Sequence, residues 1–262
     1  MYEIGPEYGP SPSEIDIQPR DGSEVEALLE SGEVQRVIVL GAHPDDQLIS
    51  GVFARRLARL ADHANGPSII DITMTKGEAA FDDLPEEDRP GGLTRQALAE
   101  RRHVENEAGV FALYQGITDN ISIFHEDFGD GQLDDNKIAM LEFLFEQLQD
   151  DIPTVIITMD GQSAEDHRDH LAVVEVAKVL AVAKGWHVVE TGSVAEMEGT
   201  ILADEDETYA ANALVDAHQT QSSLQGELDR TVAIGYRYST PEQVTEEIER
   251  LYSREEELAQ AV

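Results

Sequence analysis

Residues 37–47 read Val37-Ile-Val-Leu-Gly-Ala-His43-Pro-Asp45-Asp46-Gln47, the most informative stretch of the chain. Its first four residues are continuously apolar, as expected of a strand that is buried on both faces of a parallel sheet. A histidine and two aspartates come directly after the Gly-Ala pair. Because ligands of open α/β sheets bind outside the carboxyl ends of the strands, this stretch predicts a strand that leads into an active-site loop.

The rest of the chain alternates between strands and helices. Strands are also predicted at about residues 68–75, 121–124, 155–158, 187–190 and 199–202. Such alternation, with no internal repeat, predicts one doubly wound α/β domain: a Rossmann-like three-layer sandwich with a mostly parallel sheet. We expect this single domain to span residues 36–262, and residues 1–35 to form an N-terminal arm with a short helix.

Three of the predicted helices carry apolar stripes. The helix from Thr94 to Tyr114 is expected to turn inward Leu98, Val104, Ala108, Phe111 and Ala112. The stripe of the helix at residues 135–148 comprises Ile138, Leu141, Leu144, Phe145 and Leu148. The amphipathic C-terminal helix, at about residues 241–260, leaves two roles open: packing on its own domain, which we favour, or forming an interface between subunits of a homo-oligomer.

Acidic residues dominate the charge of the chain. Its 54 Asp and Glu residues outnumber 18 Lys and Arg residues, which gives a formal net charge of −36. Nucleic acid is a poor partner for such a surface, because affinity for phosphates depends on Lys and Arg. No stretch approaches the ~20 apolar residues of a membrane helix, and the N-terminus lacks the features of a signal peptide. We therefore expect a cytoplasmic protein with no membrane insertion.

The same charge predicts adaptation to high salt, as in a protein from a halophilic source. At molar ionic strength the Debye length falls to ~3 Å, so that the self-repulsion of a strongly charged protein is screened. We expect the melting temperature to rise between dilute buffer and molar potassium chloride, as followed by circular dichroism. A melting temperature that stays level or falls over this range would contradict the prediction.

Two clusters of candidate metal ligands follow two of the predicted strands. His43 and Asp46 lie three residues apart on a tight loop, so that both can converge on one cation while Asp45 points elsewhere. On its own this loop is explained equally well as an ordinary turn, since Asp and Pro are common turn residues. His167 and His170 lie one helical turn apart at a helix start after the fourth strand. Because the chain has no cysteine, two histidines and one carboxylate at a single sheet edge predict a zinc site.

These motifs resemble those of a known family. Gly-Ala-His43-Pro-Asp45-Asp46 is similar to the first motif of the LmbE-like/PIG-L family of zinc-dependent N-acetylglucosaminyl deacetylases, and His167-Arg-Asp-His170 is similar to its second, usually His-Pro-Asp-His. Three weaker marks follow the order of the family: Gly77-Glu78, Arg102-His-Val-Glu105 and His218-Gln-Thr-Gln221. The resemblance covers about residues 36–221.

The resemblance implies a role for each residue of the two main motifs. It implies that His43, Asp46 and His170 bind Zn²⁺, and that Asp45 is the general base for the attacking water. His167 would be the charged group that stabilises the oxyanion or protonates the departing amine. We expect the acidic surroundings to keep His167 protonated, because nearby negative charge favours the charged form of a histidine.

Four further residues are expected to bind substrate, since each falls in or near a motif at the same edge: Glu78, Arg102, Asp130 and Arg168. The chain also departs from the family at three positions. Gln47 stands where the family usually has Glu, which would make a contact near the metal or the substrate neutral. Arg168 replaces the Pro of the second motif, and Thr220 replaces the Ser of the last one.

The leading hypothesis is therefore zinc-dependent removal of acetyl from a small N-acetylglucosamine-containing sugar or glycoconjugate. The acidic loop at residues 81–93 is long enough to cover a substrate and would favour neutral sugars over anionic ones. Two alternatives stay open: a zinc hydrolase that acts on a different amide, and a catalytically idle sugar-binding or scaffold protein. The complete set of motif residues argues against the idle protein.

Overall fold

The described part of the chain defines where the sheet and its helices begin and end. The computed structural model describes residues 27–28, 31, 33–60, 67–83, 93–118, 120–160, 167–192, 197, 199–218, 220 and 233–260. Most of the predicted N-terminal arm, residues 84–92 of the predicted acidic loop, and Gln221 of the last motif lie outside these residues.

The described strands form one sheet. They are β1 Arg36–Gly41, β2 Ser68–Thr73, β3 Ile121–His125, β4 Thr154–Met159, β5 His187–Gly192, β6 Gly199–Leu202 and β7 Ala233–Ser239. Their order across the sheet is β3-β2-β1-β4-β5-β7-β6. The first five strands run parallel, and β7 is antiparallel to both of its neighbours. The prediction of an α/β sandwich with a mostly parallel sheet is confirmed.

Helices cover both faces of the sheet. They are α1 Gln47–Leu60, α2 Ala80–Asp83, α3 Arg95–Tyr114, α4 Lys137–Gln147, α5 Arg168–Lys184, α6 Glu205–Ala217 and α7 Pro241–Gln260, with a 3₁₀ turn at Leu133–Asn136 before α4. Side chains of alternate β1 residues point to opposite faces. Val37 and Val39 accordingly pack with α1, α3 and α6, whereas Ile38 and Leu40 pack with α4, α5 and α7.

The connections place a topological switch point beside β1. The chain passes from β1 to β2 and β3 on one side, and then returns to pair β4 with the other side of β1. Leu40 of β1 is in register with Ile72 of β2 and with Thr158 of β4. The loops that follow β1, β2 and β4 therefore meet at one edge, where doubly wound folds bind their ligands.

Two of the predicted apolar stripes are partly wrong. On α3, Val104 and Phe111 are 61% and 52% exposed, and Ala108 is exposed as well. Periodicity failed because the inward face of α3 is largely polar or small; it carries Arg102, Glu105, Asn106, Gly109, Val110 and Leu113. On α4, Leu144 and Leu148 are buried as predicted, but Ile138 is 75% exposed and Phe145 is also on the exposed side.

The C-terminal helix packs on its own domain through its first half. A capping box begins the helix: the Thr240 N–H donates to the Gln243 side chain, and the Gln243 N–H donates to the Thr240 hydroxyl. Val244 is fully buried in the core, and Glu247 lies 2.9 Å from the Nζ of Lys178 on α5. Among the described residues, no helix is both long enough and apolar enough to cross a membrane.

Candidate metal centre

The loop after β1 fixes the carboxylate of Asp46. Backbone groups of the loop bind one of its oxygens, and the other oxygen faces α5. Its Oδ2 accepts hydrogen bonds from the backbone N–H groups of Ala42, at 2.6 Å, and of His43, at 3.0 Å. Its Oδ1 lies 3.2 Å from Nε2 of His170. Because two backbone donors hold one oxygen of a buried carboxylate, the other oxygen is presented in a defined direction.

His43 lies between two groups of side chains, one at each ring nitrogen. Its Nδ1 is 3.1 Å from Nε2 of His170. Its Nε2 lies 3.2 Å from Oδ1 of Asp130 and 3.4 Å from Oδ2 of Asp169. A carboxylate beside one ring nitrogen of a histidine holds the proton there and leaves the lone pair of the other nitrogen free for a metal. With a proton on Nε2, His43 can offer the lone pair of Nδ1, the nitrogen that faces His170, to a metal ion.

Two pairs of donor atoms on this side of His43 have the spacing of neighbouring ligands in a tetrahedral metal site. The distances from His170 Nε2 to His43 Nδ1 and to Asp46 Oδ1 are 3.1 and 3.2 Å. Tetrahedral coordination at ~2.0–2.1 Å places neighbouring ligand atoms ~3.3 Å apart. Two imidazole nitrogens and one carboxylate oxygen are also a donor set typical of zinc sites that keep an open position.

The electrostatics of the site favour a cation at this place. Burial alone would lower the pKa of His43, but the carboxylates of Asp130, Asp169 and Asp46 raise it well above its ordinary value. Burial would also lower the pKa of His170, but the carboxylate of Asp46 outweighs burial, and the pKa is raised. The pKa of Asp46 is lowered despite its burial, chiefly by His170 and His43. Surroundings that attract a proton to His43 and His170 attract a metal ion in the same way.

His167 joins the site as a third imidazole. Its ring stacks on that of His170 with centroids 4.5 Å apart, and ligand atoms of His43, His167 and His170 all lie within 4.8 Å of one another. Partial burial, followed by the neighbouring imidazoles of His43 and His170, lowers its pKa. The expectation that acidic surroundings keep His167 charged is therefore wrong. The rings of His43 and His170 lie next to His167 and oppose its protonation, and the sequence did not show these contacts.

Asp45 stands in the same turn as the two β1-loop ligands. Its side chain is partly exposed, whereas those of His43 and Asp46 are buried. It is close enough to contribute to the raised pKa values of both His43 and His170. A carboxylate that is open to solvent and next to a metal site can take a proton from a water molecule there.

Three of the predicted substrate-binding residues form a connected group. Nη1 of Arg102 donates to the backbone oxygen of Gly77 at 2.7 Å, and Oε1 of Glu78 accepts from the backbone N–H of Asp130 at 3.0 Å. Gly77 has φ of +67°, and a Cβ there would lie 2.5 Å from Nη1 of Arg102, so this turn requires glycine. Asp130 in turn faces His43, which connects the group to the proposed ligands.

The fourth predicted substrate-binding residue, Arg168, is exposed at the start of α5. The described hydrogen bonds and ion pairs of the site do not include it. Its positive charge contributes instead to the lowered pKa of Asp134, which is set mainly by Lys137.

The sequence-based prediction missed Asp169, the residue directly before His170. Its Oδ2 and Oδ1 accept hydrogen bonds from the backbone N–H groups of Gly131, at 2.6 Å, and Leu133, at 3.1 Å. It is thus held against His43 while it joins α5 to the loop after β3. The sequence contained a signal for this role, because Asp169 lies within the second motif, next to the predicted ligand His170. A carboxylate that orients a histidine ligand is a regular part of zinc sites.

Gln47 belongs to a buried polar cluster behind the loop. Its Nε2 donates to Oδ1 of Asp71 at 3.0 Å and to Oγ1 of Thr73 at 2.9 Å. Within the described residues, Oε1 of Gln47 and Oδ2 of Asp71 are buried without a partner. Burial raises the pKa of Asp71 to about 7, although the hydrogen bond from Gln47 opposes the shift. A protonated Asp71 can donate to Gln47, and such a bond would satisfy both of these oxygens.

This cluster makes the stability of the protein depend on pH in a defined window. The folded-state pKa of Asp71 is about 7, above the ~3.9 of an unfolded aspartate. Protonated Asp71 therefore makes its full contribution to the free energy of unfolding below the pKa of the unfolded chain. That contribution is lost as pH rises toward 7, by up to about 1.4 kcal/mol per pH unit. We expect Asp71→Asn to gain stability relative to the wild type between about pH 5 and 7, with a constant difference above pH 8. Denaturant unfolding across this range measures it; a difference that does not change with pH would contradict it.

Comparison with known proteins places the site in context. The family model described as PIG-L, GlcNAc-PI de-N-acetylase, matches residues 38–181. No curated protein matches the chain. Among solved structures, the chain is similar to N,N′-diacetylchitobiose deacetylase from Pyrococcus horikoshii, with 15% identity and a TM-score of 0.58 over 86% of this chain and 96% of that one.

Two other solved structures share the fold. The pseudoaglycone deacetylase Dbv21 is 18% identical, with a TM-score of 0.50 over 73% of this chain and 85% of its own. The 4-carboxy-2-hydroxymuconate hydratase GalB from Pseudomonas putida is 16% identical, with a TM-score of 0.53 over 79% and 97%. At these identities the likeness concerns the fold alone, and one of these folds carries a hydratase rather than a deacetylase.

Proposed function

The chain belongs to the PIG-L family of GlcNAc-PI de-N-acetylases, and from this membership we propose that it removes acetyl from an N-acetylglucosamine-containing sugar or glycoconjugate. As a member of this family it is a hydrolase acting on amide C–N bonds. The observation that carries the proposal is the position of His170 Nε2 at the switch-point edge, 3.1 Å from His43 Nδ1 and 3.2 Å from Asp46 Oδ1, with Asp45 in the same loop.

The donor set of His43, Asp46 and His170 suits Zn²⁺, which we propose as the cofactor. When bound, zinc lowers the pKa of a coordinated water to about 7 and polarises a carbonyl oxygen. The carboxylates of Asp130 and Asp169, 3.2 and 3.4 Å from Nε2 of His43, favour a proton on that nitrogen and so leave Nδ1 to serve as a ligand. The two backbone donors on Asp46 keep its remaining oxygen directed at the same point.

The proton transfers are assigned to Asp45 and His167. Asp45 accepts a proton from the attacking water and can pass it to the nitrogen of the departing amine, so that acetate and a free amine are formed. His167 has a lowered pKa, so it acts as a neutral imidazole whose single N–H donates to the developing oxyanion. A neutral donor can stabilise an oxyanion when it is already in place before the reaction.

From the charge and the predicted elements of the chain, we also propose a cytoplasmic, salt-adapted protein with one domain over residues 36–262.

We propose a small N-acetylated sugar as substrate. The residues proposed to surround it are Glu78, Arg102, Asp130 and Arg168. Lys76 and Lys137 near this edge pair with Asp127 and Glu175, which leaves them less able to attract an anionic substrate. The second candidate is hydrolysis of a different amide, since two deacetylases of similar fold are named for different substrates, diacetylchitobiose and a pseudoaglycone.

Acetate release tests the function directly. Purified protein in molar potassium chloride, with and without added zinc, is incubated with N-acetylglucosamine, N,N′-diacetylchitobiose and N-acetylated amino acids. The proposal predicts zinc-dependent acetate release from a sugar. Release from an amino acid alone would favour the second candidate. Sugar binding without acetate release by the zinc-loaded protein would favour an idle binding protein.

A further inference from the structure

His218 links the end of α6 to the loop that carries the proposed metal ligands. It is 2% exposed and follows the last residue of α6. Its Nδ1 lies 2.8 Å from the backbone oxygen of Leu214, and its Nε2 lies 3.0 Å from the backbone oxygen of Pro44. Pro44 lies between His43 and Asp45, so the His218 ring contacts the backbone of the loop between these two residues.

Both partners of this ring are acceptors only. A carbonyl oxygen carries no hydrogen, so each ring nitrogen must donate if both contacts are hydrogen bonds. A neutral imidazole has a single N–H and would set its other lone pair against an oxygen. Both contacts are therefore hydrogen bonds only in a doubly protonated His218. Its position agrees with this charge, because the carbonyl groups at the C-terminus of a helix favour a cation.

The surroundings leave the ring little freedom. A Cβ at Gly109 of α3 would lie 2.7 Å from Cε1 of His218, so the helix backbone lies directly against the ring. Two residues beyond His218, the backbone N–H of Thr220 donates to Oε2 of Glu105 at 3.1 Å, and the Thr220 hydroxyl donates to the same carboxylate. Glu105 and Gly109 are one turn apart on α3, so one helix contacts both His218 and Thr220.

We propose that His218 is a positioning residue for the reaction: as a double donor, it clamps the Pro44 carbonyl and so fixes the spacing of His43, Asp45 and Asp46. This inference rests on the proposed function, because it concerns the alignment of the ligands and the base. Partners that orient the groups around a metal typically change metal affinity or activity by about 10–100-fold. The clamp does not touch the sugar, so its loss should alter kcat and zinc affinity more than KM.

His218→Gln tests the clamp, since glutamine keeps a polar group but has only one nitrogen for the two acceptors. We expect kcat to fall by about tenfold or more, with zinc affinity weakened by a similar factor and KM nearly unchanged. Zinc affinity is measured by competition with a chelator, and kcat is measured per zinc-loaded protein. The matched control is His187→Gln at the amino end of β5, which removes a hydrogen bond between Nδ1 and the Tyr238 hydroxyl far from this loop.

Nitrogen NMR of histidine-labelled wild-type protein provides a readout that needs neither folding of a variant nor turnover. The clamp predicts that both ring nitrogens of His218 carry a proton. A single protonated nitrogen would overturn it, as would a His218→Gln variant whose kcat and zinc affinity match those of His187→Gln. If the wild type releases no acetate, the proposed function fails, while zinc affinity and the NMR spectrum still decide the clamp.

Discussion

Asp45→Asn is expected to lower kcat by about a hundredfold to ten-thousandfold while leaving zinc affinity within a few-fold of the wild type. Asparagine has nearly the same shape as aspartate but cannot accept a proton from the attacking water. It also keeps the backbone of the turn, in which the Asp45 carbonyl accepts a hydrogen bond from the N–H of Leu48. The expected effect is therefore on the rate rather than on the architecture of the site.

The same substitution removes a charge as well as a base, and the experiment must separate the two. Asp45 helps to raise the pKa values of His43 and His170, so its loss makes protons compete less well with the metal. Zinc content and single-turnover acetate release should be measured on the same preparation. Asp127→Asn is the control, since it removes an exposed carboxylate at the same sheet edge that pairs with Lys76. Full activity of zinc-loaded Asp45→Asn would show that another group takes the proton.

Much of this site could be predicted because it is local in sequence. The apolar run before His43 predicts a buried strand, and parallel strands bring the loops after β1 and β4 to one edge. The spacing of His167 and His170 then places two imidazoles on one side of a helix. In the structure these rings and that of His43 are in contact, with centroids 4.5–5.0 Å apart.

What the sequence could not supply depends on contacts between distant segments. The lowered pKa of His167 results from burial and from the neighbouring imidazoles of His43 and His170, and a composition rich in Asp and Glu predicts the opposite direction. The outward position of Phe111 follows from the packing of α3 against α6 through small and polar residues such as Gly109. Apolar periodicity identifies a helix, but it does not show which neighbours the helix will meet.

Asp46→Asn is expected to weaken zinc binding by more than about a hundredfold, because it removes a direct ligand rather than a group that orients one. The amide oxygen can still accept from the N–H groups of Ala42 and His43, which hold Oδ2 in the wild type. The amide nitrogen then takes the place of Oδ1 opposite His170 and offers hydrogens where a metal needs a lone pair. Activity should fall with zinc occupancy, as measured by chelator competition and elemental analysis.

The adjacent aspartates thus predict opposite patterns from the same chemical change. Asp45→Asn should hold zinc and turn over slowly, whereas Asp46→Asn should fold and lose zinc. Melting curves of both variants in the presence of a chelator show whether the loop itself is intact, because the metal then makes no contribution to stability. If Asp46→Asn keeps one equivalent of zinc at wild-type affinity, Asp46 is not a ligand, and the set of His43, His167 and His170 becomes the better description of the metal centre.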